Sequence, residues 1–442
     1  MRQILSVVLT TCLLISCNNN GTGPQYFDVQ LTADDVGVTE AWLRLQIAPS
    51  VHHNALRLTL DGSSVLTAQY LGLDTVVFVN SLLPKHSYTF KAYTLSDSVT
   101  NDSSNAFTVA TMDTTSHNIT WQIDTLGYGN AGVLYDVFIF SDTLVYAVGE
   151  MYLADSTGQF NTMPYGIAKW DGKKWGLSRV YGMGPEGGSY ASDLVPEGVF
   201  VSSPNDIWFA SGGTFHWDGQ SNNATPYWIN PFPGNPNPIW VQGQYATRLY
   251  ATSVTNLWTV GPAGGLARFN GLAWEKVESG TTTDIDDIWG AKDPQNGTTN
   301  ILCVVSSKYS IGDKRILSID SSGSISSLPW TPPHRINTVW FKTFKKIFVG
   351  GGGLYVGTDN VWKEVLDLPP YFSTRIRGTA INDVFVVGSF GLCGHFNGMT
   401  WRNYPEAALP EGEYEGLSVN PHMVIAVGFS GGQAVVLRGY RK

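Results

Sequence analysis

The sequence predicts an all-β protein in which a β-sandwich precedes a seven-bladed β-propeller. Apolar and polar residues alternate over short stretches, which is the pattern of half-buried strands. Units of about 40–50 residues, each with four such stretches, recur through residues 119–442, and this period is typical of propeller blades. The 442 residues include 48 glycines and 12% aromatic but only 14% charged residues, as expected for many hairpins around apolar strands.

Residues 1–17 have the features of an export signal. Met1–Arg2 supplies a positive start and Ile4–Ile15 is mostly apolar. The segment ends in Leu14-Ile15-Ser16-Cys17, which resembles the lipobox of bacterial lipoproteins. The resemblance implies that Cys17 is lipidated, becomes the mature N-terminus and anchors the chain to a membrane of the cell envelope. Asn18 favours the outer membrane or cell surface, and a cleaved signal with an incidental cysteine is the alternative.

Residues 26–115 are predicted to form the sandwich, behind a flexible tether at 18–25. Apolar residues at alternate positions are Leu43, Leu45 and Ile47 in one stretch and Leu56, Leu58 and Leu60 in another. The run Leu82–Ala92 resembles the E–F corner of fibronectin type III domains, in which a tyrosine, here Tyr88, bonds back to the corner. The resemblance implies a fibronectin type III-like spacer or binding module.

Internal repetition predicts the propeller over residues 119–442. Each unit combines an Asn-Asp-Ile-Trp-like strand, a strand that ends in a turn pair, and a strand that carries tryptophan. The turn pairs are Asp171-Gly172, Asp218-Gly219, Asn270-Gly271 and Asn397-Gly398. The first strands begin near Val133, Pro196, Ala246, Asp284, Ile336, Thr374 and Glu413.

The last unit lacks a fourth strand. We expect the tryptophan strand at 118–124 to complete it and to close the ring, because closure removes an open sheet edge. Six blades and an unrelated tail are the alternative. The repeats resemble the Asn-Asp-Ile-Trp/Asp-Gly-x-x-Trp repeats of secreted bacterial propellers, which include photosystem II assembly-factor-like and sialidase-repeat propellers. This resemblance implies the fold and not a function, since propellers host many chemistries.

Composition and motifs exclude several function classes. The net charge is −9 and no cluster of lysines and arginines occurs, which argues against nucleic-acid binding. The sequence contains no Gly-x-Ser-x-Gly elbow, His-Glu-x-x-His motif or Walker-type loop, so we assign no catalytic residue and no cofactor. Cys303 and Cys393 belong to different predicted blades, and we expect them to be small buried side chains without a disulfide.

Candidate ligand-binding residues come from the first strands, because the innermost strands of a propeller line its axial channel. Aligning these strands places six polar residues at one level: Tyr135, Arg248, Asp286, Asn337, Arg375 and Glu415. Such a ring can hold a polar ligand, and ordinary wet channel positions are the alternative.

Two further groups carry weaker signals. Asp284, Asp286 and Asp287 offer oxygen ligands for Ca²⁺, but a solvated acidic turn is the preferred interpretation, and we assign no metal site. The aromatic residues of a proline-rich insertion are a possible contact surface, because loops often carry function: Trp228, Phe232 and Trp240.

Together these features predict a surface-exposed, lipid-anchored binding or scaffold protein whose propeller meets a protein or glycan ligand. One alternative is a polysaccharide-acting enzyme, a glycoside hydrolase or lyase, at the channel mouth. Hydrolysis needs two suitably spaced carboxyl groups, and Asp286 and Glu415 belong to blades that lie nearly opposite each other. The other alternative is an assembly factor for an envelope complex.

Overall fold

The computed structural model describes residues 28–69, 72–128, 131–154, 157–159, 161–182, 192–227, 245–294, 297–307, 313–358 and 361–442. The predicted signal with Cys17, the tether, and Trp228, Phe232 and Trp240 lie outside these residues. Within them, regular structure is β-strand apart from one 3-10 turn at Pro405–Ala407, which confirms the all-β prediction. None of these residues forms a helix with the length and apolar character of a membrane span.

The chain divides into two compact units. Among the described residues, one contains those up to Ala33 together with Leu43–Val77 and Tyr88–Val109, and the other contains Asp34–Trp42, Phe78–Ser87 and those from Ala110 to Lys442.

The N-terminal strands form two sheets. The three-stranded sheet has the order Val29–Val36, Ala41–Ile47, Asp74–Val79. The five-stranded sheet has the order Ser63–Gln69, Ala55–Leu60, Ser87–Ser96, Val99–Ser103, with Phe107–Ala110 also paired to Ser87–Ser96. The alternating leucines Leu43, Leu45, Leu56 and Leu58 are fully buried, as their period predicts. The fibronectin type III-like identity of this region stays a prediction.

Seven sheets make up the blades within the described residues, six of them four-stranded and that of blade 2 six-stranded. The strands of each blade, in sheet order, are Val133–Ser141, Leu144–Met151, Tyr165–Trp170 and Trp175–Ser178 in blade 1; Gly198–Ser203, Asp206–Ser211, Gly213–Trp217 and Asn223–Tyr227 in blade 2; Arg248–Ser253, Asn256–Val260, Leu266–Phe269 and Trp274–Lys276 in blade 3; Ile285–Lys292, Thr299–Ser306, Lys314–Ile319 and Ile325–Leu328 in blade 4; Ile336–Phe341, Ile347–Gly351, Leu354–Thr358 and Val361–Glu364 in blade 5; Ser373–Ala380, Asp383–Gly388, Cys393–Phe396 and Trp401–Asn403 in blade 6; and Gly412–Val419, Met423–Ser430, Gln433–Arg441 and Ile119–Leu126 in blade 7. Two short strands, Tyr181–Gly182 and Ser192–Asp193, extend the outer edge of blade 2.

The first strands form a closed ring. Each contacts the first strands of the two neighbouring blades, and the first strand of blade 7 contacts that of blade 1. This arrangement confirms the seven-bladed propeller. The strand Ile119–Leu126 pairs antiparallel with Gln433–Arg441 along its whole length, so a strand that precedes blade 1 completes blade 7. The two ends of the propeller segment are therefore joined by one hydrogen-bonded ladder.

The repeated turn pairs join the third and fourth strands, and Asp171-Gly172 shows why they recur. Oδ1 of Asp171 accepts hydrogen bonds from the amides of Lys173 and Lys174, each at 2.8 Å. Gly172 has φ 94°, a conformation that favours glycine. Asn270 accepts two equivalent bonds in blade 3, so either residue type directs the same tight hairpin.

The recurrent tryptophans pack between blades. Trp208 of blade 2 lies against Phe269 and Trp274 of blade 3, with ring centroids 5.0 and 6.2 Å away. Trp401 of blade 6 packs on Phe348 of blade 5 at 6.2 Å. Large flat side chains at one register thus fill the wedges between successive sheets.

Both cysteines of the propeller are fully buried. Cys303 lies in the second strand of blade 4 and Cys393 in the third strand of blade 6, and neither forms a disulfide, as predicted. Burial raises the pKa of both thiols, which keeps them protonated and unreactive.

Candidate functional site

Side chains of the first strands line the channel in three layers. The middle and lower layers lie two residues apart on each strand, so their side chains point to the same side, and the mouth layer immediately precedes the middle layer in the chain. The mouth layer, at the start of the strands, comprises Tyr135, Glu197, Thr247, Asp286, Asn337, Thr374 and Glu415. The middle layer comprises Asp136, Gly198, Arg248, Asp287, Thr338, Arg375 and Gly416, which occupy equivalent pairing positions against the second strands. The lower layer comprises Phe138, Phe200, Tyr250, Trp289, Arg377 and Ser418.

The predicted alignment of the six candidate residues is wrong at two positions. In five blades the first strand contains a β-bulge near its start, and the residue without a pairing partner lies in the mouth layer: Tyr135, Asp286, Asn337, Thr374 and Glu415. In blade 6 that residue is Thr374, so Arg375 belongs to the middle layer. The register of blade 3 places Arg248 there as well. A bulge adds one residue to one strand without a sequence signature, so spacing alone misaligned these arginines.

The mouth layer opens into a cavity of about 250 Å³, which we call the acidic mouth. Its carboxyl groups belong to Glu197, Asp284, Asp286, Glu413 and Glu415, and its one guanidinium belongs to Arg248. Four of the six predicted residues meet there: Arg248, Asp286, Asn337 and Glu415. Tyr135 and Arg375 do not line the cavity. Tyr135 instead donates a hydrogen bond to Glu150 at 3.2 Å, and Arg375 is only 1% exposed.

Crowding of carboxylates perturbs the acidic mouth. Burial and the neighbouring charge of Glu415 raise the pKa of Glu413 to about 7. Burial and repulsion from Arg375 lower the pKa of Arg248, whose Nη1 donates to the backbone carbonyl of Glu197. The cavity therefore combines a strong excess of carboxylates with one carboxyl group that retains its proton near neutral pH.

The three aspartates that suggested Ca²⁺ have separate partners. Asp284 Oδ1 accepts a bond from the amide of Ala263 at 3.1 Å, and Asp286 pairs with Arg335 at 3.2 Å. Asp287 faces the middle layer. Within the part of the chain that the structure describes, no three acidic, histidine or cysteine side chains form a group suited to a metal ion.

Asp287 organises one half of the middle layer. Its carboxylate accepts five hydrogen bonds: from Arg375 Nη1 (2.7 Å), Arg377 Nη1 (3.1 Å) and Nη2 (2.9 Å), Thr338 Oγ1 (2.7 Å) and the Val339 amide (3.1 Å). The group is fully buried, yet the charges of the two arginines hold its pKa well below the ordinary range against the effect of burial. Blades 4, 5 and 6 are thereby tied together, and we call this set the Asp287 lock.

The lower layer opens into a second cavity, of about 300 Å³, at the opposite ends of the first strands. We call it the aromatic mouth, because four partly exposed aromatic side chains line it: Phe138, Phe200, Tyr250 and Trp289. The first two pack edge to face with centroids 5.4 Å apart, and the second two are 5.6 Å apart. Arg377 lies over the Trp289 ring at 4.8 Å.

A third cavity, of about 220 Å³, adjoins the acidic mouth between blades 5 and 6. This apolar pocket is lined largely by Leu354, Leu366, Leu368, Pro369, Pro370 and Tyr371. One wall is shared: Tyr371 and Ser373 line the apolar pocket, and Phe372 and Thr374 line the acidic mouth. Phe390, which is 55% exposed and has φ 58°, lies against Tyr371 at 5.1 Å. A bulky residue held in this strained conformation extends the apolar surface beside the pocket.

Sequence reasoning missed several of these residues. Glu197 and Glu413 precede the aligned positions, and the aromatic mouth was assigned to no site. The alternation of side chains along a strand could have indicated the aromatic mouth, since Phe138, Phe200 and Tyr250 each follow a middle-layer residue by two positions.

No family model and no curated protein matches the chain at the sequence level. Among solved structures, the chain is similar to YCF48 bound to D1 peptide, with a TM-score of 0.53 and 13% identity over 74% of this chain and 99% of that one. It is also similar to the WD40 β-propeller domain of Doa1, with a TM-score of 0.50 and 10% identity over 74% of this chain and 98% of that one. At such identities the likeness shows the propeller fold alone.

Proposed function

We propose that the protein is a lipid-anchored binding scaffold of the cell envelope, whose propeller receives a segment of a partner protein at the acidic mouth. The observation that carries the proposal is the shared wall at 371–374, whose alternate residues face an acidic cavity and an apolar pocket. A single extended segment can therefore fill both, with a lysine or arginine in one cavity and a large apolar residue in the other.

The negative charge of the acidic mouth favours a basic segment of the partner protein. Five carboxyl groups and one guanidinium line the acidic mouth. Opposite charge in such a concave site accelerates encounter and rejects acidic partners, while apolar burial supplies much of the affinity. The exposed surface of Leu366 and Phe390 beside the apolar pocket adds area for that burial.

The structural neighbours support this kind of function without specifying the partner. YCF48 was solved with a D1 peptide bound, so a propeller of this fold is found in complex with a peptide. A glycan ligand is the alternative occupant, and an assembly factor for an envelope complex is one form that such a scaffold can take.

The anchor and the spacer complete the proposal and rest on sequence patterns alone. The lipobox-like end of residues 1–17 supports lipidation of Cys17, and the fibronectin type III-like pattern of residues 26–115 supports a spacer. The expected location is the outer membrane or cell surface. Labelling with radioactive palmitate tests the anchor: the wild type should incorporate label, and Cys17→Ala should not.

Peptide binding tests the acidic mouth. We expect fluorescent peptides with the pattern Lys-x-Leu to bind the full chain, and matched Glu-x-Leu peptides to fail, in fluorescence anisotropy. The double variant Glu413→Gln/Glu415→Gln should weaken binding about tenfold or more, because it removes two of the five carboxyl groups. Glu278→Gln is the matched control, since that side chain is 83% exposed and lies outside the cavity. Equal binding of both peptides, or a double variant that binds as well as the control, would exclude this mode of recognition.

One observation favours a second candidate, hydrolysis of a polysaccharide. Glu413 and Glu415 both line the acidic mouth, and burial and the charge of Glu415 raise the pKa of Glu413 to about 7, which suits a general acid beside a second carboxylate. Glycan-array binding followed by assay for reducing ends tests it. Turnover that Glu413→Gln abolishes would establish the enzyme, and binding of a glycan without turnover would favour the scaffold.

A further inference from the structure

Asp136 differs from Asp287, the other carboxylate of the middle layer. Its carboxylate accepts one hydrogen bond, from the Val199 amide at 3.1 Å, and among the described residues no lysine or arginine nitrogen lies within salt-bridge distance of it. The reason is its neighbours in the layer, Gly198 and Gly416, which have no side chain to offer. A Cβ on Gly416 would lie 2.7 Å from the Asp136 Cα, so the close approach of the two strands requires glycine there.

Asp136 lines the aromatic mouth. Phe138 and Phe200 lie two residues further along the same and the next first strand, and Tyr250 follows in blade 3. These side chains are partly exposed in the cavity although they are largely apolar. A carboxylate thus forms the floor of a cavity whose walls, over three successive blades, are aromatic rings.

Asp287, the other carboxylate of the middle layer, is already paired with Arg375 and Arg377. Arg377 donates two hydrogen bonds to Asp287, and its guanidinium lies over Trp289. Arg375 and Arg248 lie within electrostatic range of Asp136, but neither forms an ion pair with it. The carboxylate that remains for a ligand is that of Asp136.

We propose that the aromatic mouth binds an organic ammonium group, held by the Asp136 carboxylate and by the faces of Phe138, Phe200 and Tyr250. Aromatic rings attract cations through their quadrupole, and this attraction favours weakly hydrated, alkylated ammonium ions over small inorganic ones. A cavity of about 300 Å³ accommodates a small molecule of this class or the end of a side chain. This site is separate from the proposed peptide site, and either can exist without the other.

Calorimetric titration of the purified full chain tests the proposal with three probes. Choline represents a free ammonium ion, Nα-acetyl-lysine amide represents a protein side chain, and 3,3-dimethylbutan-1-ol is the neutral isostere of choline. We expect at least one ammonium probe to bind about tenfold or more tightly than the isostere, because the isostere forgoes the ion pair and the cation–π attraction. The tighter of the two ammonium probes identifies the source of the natural group.

Variants locate the binding. Asp136→Asn keeps an acceptor for the Val199 amide and should weaken binding about tenfold. Tyr250→Leu should weaken it about threefold or more. Glu278→Gln, at an exposed carboxylate outside both cavities, should leave it unchanged, and thermal unfolding of each variant verifies the fold. An isostere that binds as tightly as both ammonium probes, no binding of either ammonium probe, or full affinity in Asp136→Asn would overturn the proposal.

Discussion

Asp136 and Asp287 occupy the same layer of the same ring, but their surroundings differ. Asp287 is followed around the ring by Thr338 and Arg375, whose side chains bond to it, whereas Asp136 lies between Gly198 and Gly416. The carboxylate of Asp287 is fully engaged in bonds within the protein, whereas that of Asp136 faces a cavity. The role of a channel residue is thus decided by the side chains at the same level of adjacent blades, which are distant in the sequence.

The strongest test of this contrast is loss of each carboxylate in turn. Asp287→Ala leaves Arg375, which is 1% exposed, without a partner, and should lower the free energy of unfolding by about 3–5 kcal/mol. Asp136→Ala removes one hydrogen bond and should cost about 1 kcal/mol or less. Urea unfolding of both variants gives the comparison. Similar losses in the two variants would mean that Asp136 has structural bonds comparable to those of the Asp287 lock.

The contrast also shows which features of the fold and of the candidate site the sequence predicts. The number of blades and their turns follow from the repeats, because each blade repeats the same local rules, such as the Asp171-Gly172 hairpin. Four of the six candidate residues lie in the mouth layer as aligned: Tyr135, Asp286, Asn337 and Glu415. Arg248 and Arg375 were misplaced because β-bulges shift the register by one residue, and nothing in the local sequence marks a bulge.

The ion pairs within the layers could not be predicted from the sequence, for a second reason. Arg375 and Asp287 are 88 residues apart, and their ion pair depends on how far apart the neighbouring blades place them. A single sequence contains no record of that distance. The same holds for the shared wall at 371–374, which adjoins two cavities lined by residues distant from it in the sequence.

A smaller effect on stability is expected from adding a side chain beside Asp136 in the middle layer. Gly416→Ala places a methyl group 2.7 Å from the Asp136 Cα and 2.9 Å from Val427 Cγ2. Because both contacts are too short, the variant should lose about 1–3 kcal/mol of stability in urea unfolding and should also lose choline binding.

Gly176→Ala is the matched control for this substitution. Its added methyl would meet one backbone oxygen at 3.9 Å, so its stability should stay near that of the wild type. A Gly416→Ala variant that equals this control in stability would show that the first strands of blades 7 and 1 separate without cost.

The smallest effect concerns the acidic mouth and depends on pH. The pKa of Glu413 is raised from 4.5 to about 7 in the folded protein by burial and by Glu415. Between these values the unfolded chain binds fewer protons than the folded chain, so this group lowers wild-type stability as the pH rises. Glu413→Gln cannot ionise and escapes this loss. The difference in unfolding free energy, variant minus wild type, should therefore increase by about 1 kcal/mol between about pH 4 and about pH 8, which is less than full linkage predicts because water reaches the cavity.

Glu278→Gln, at an exposed carboxylate, should show no such trend. A difference that stays constant or falls with pH would mean that Glu413 is ionised as easily in the folded chain as in the unfolded one, and the acidic mouth would then offer a full set of carboxylates to a basic partner.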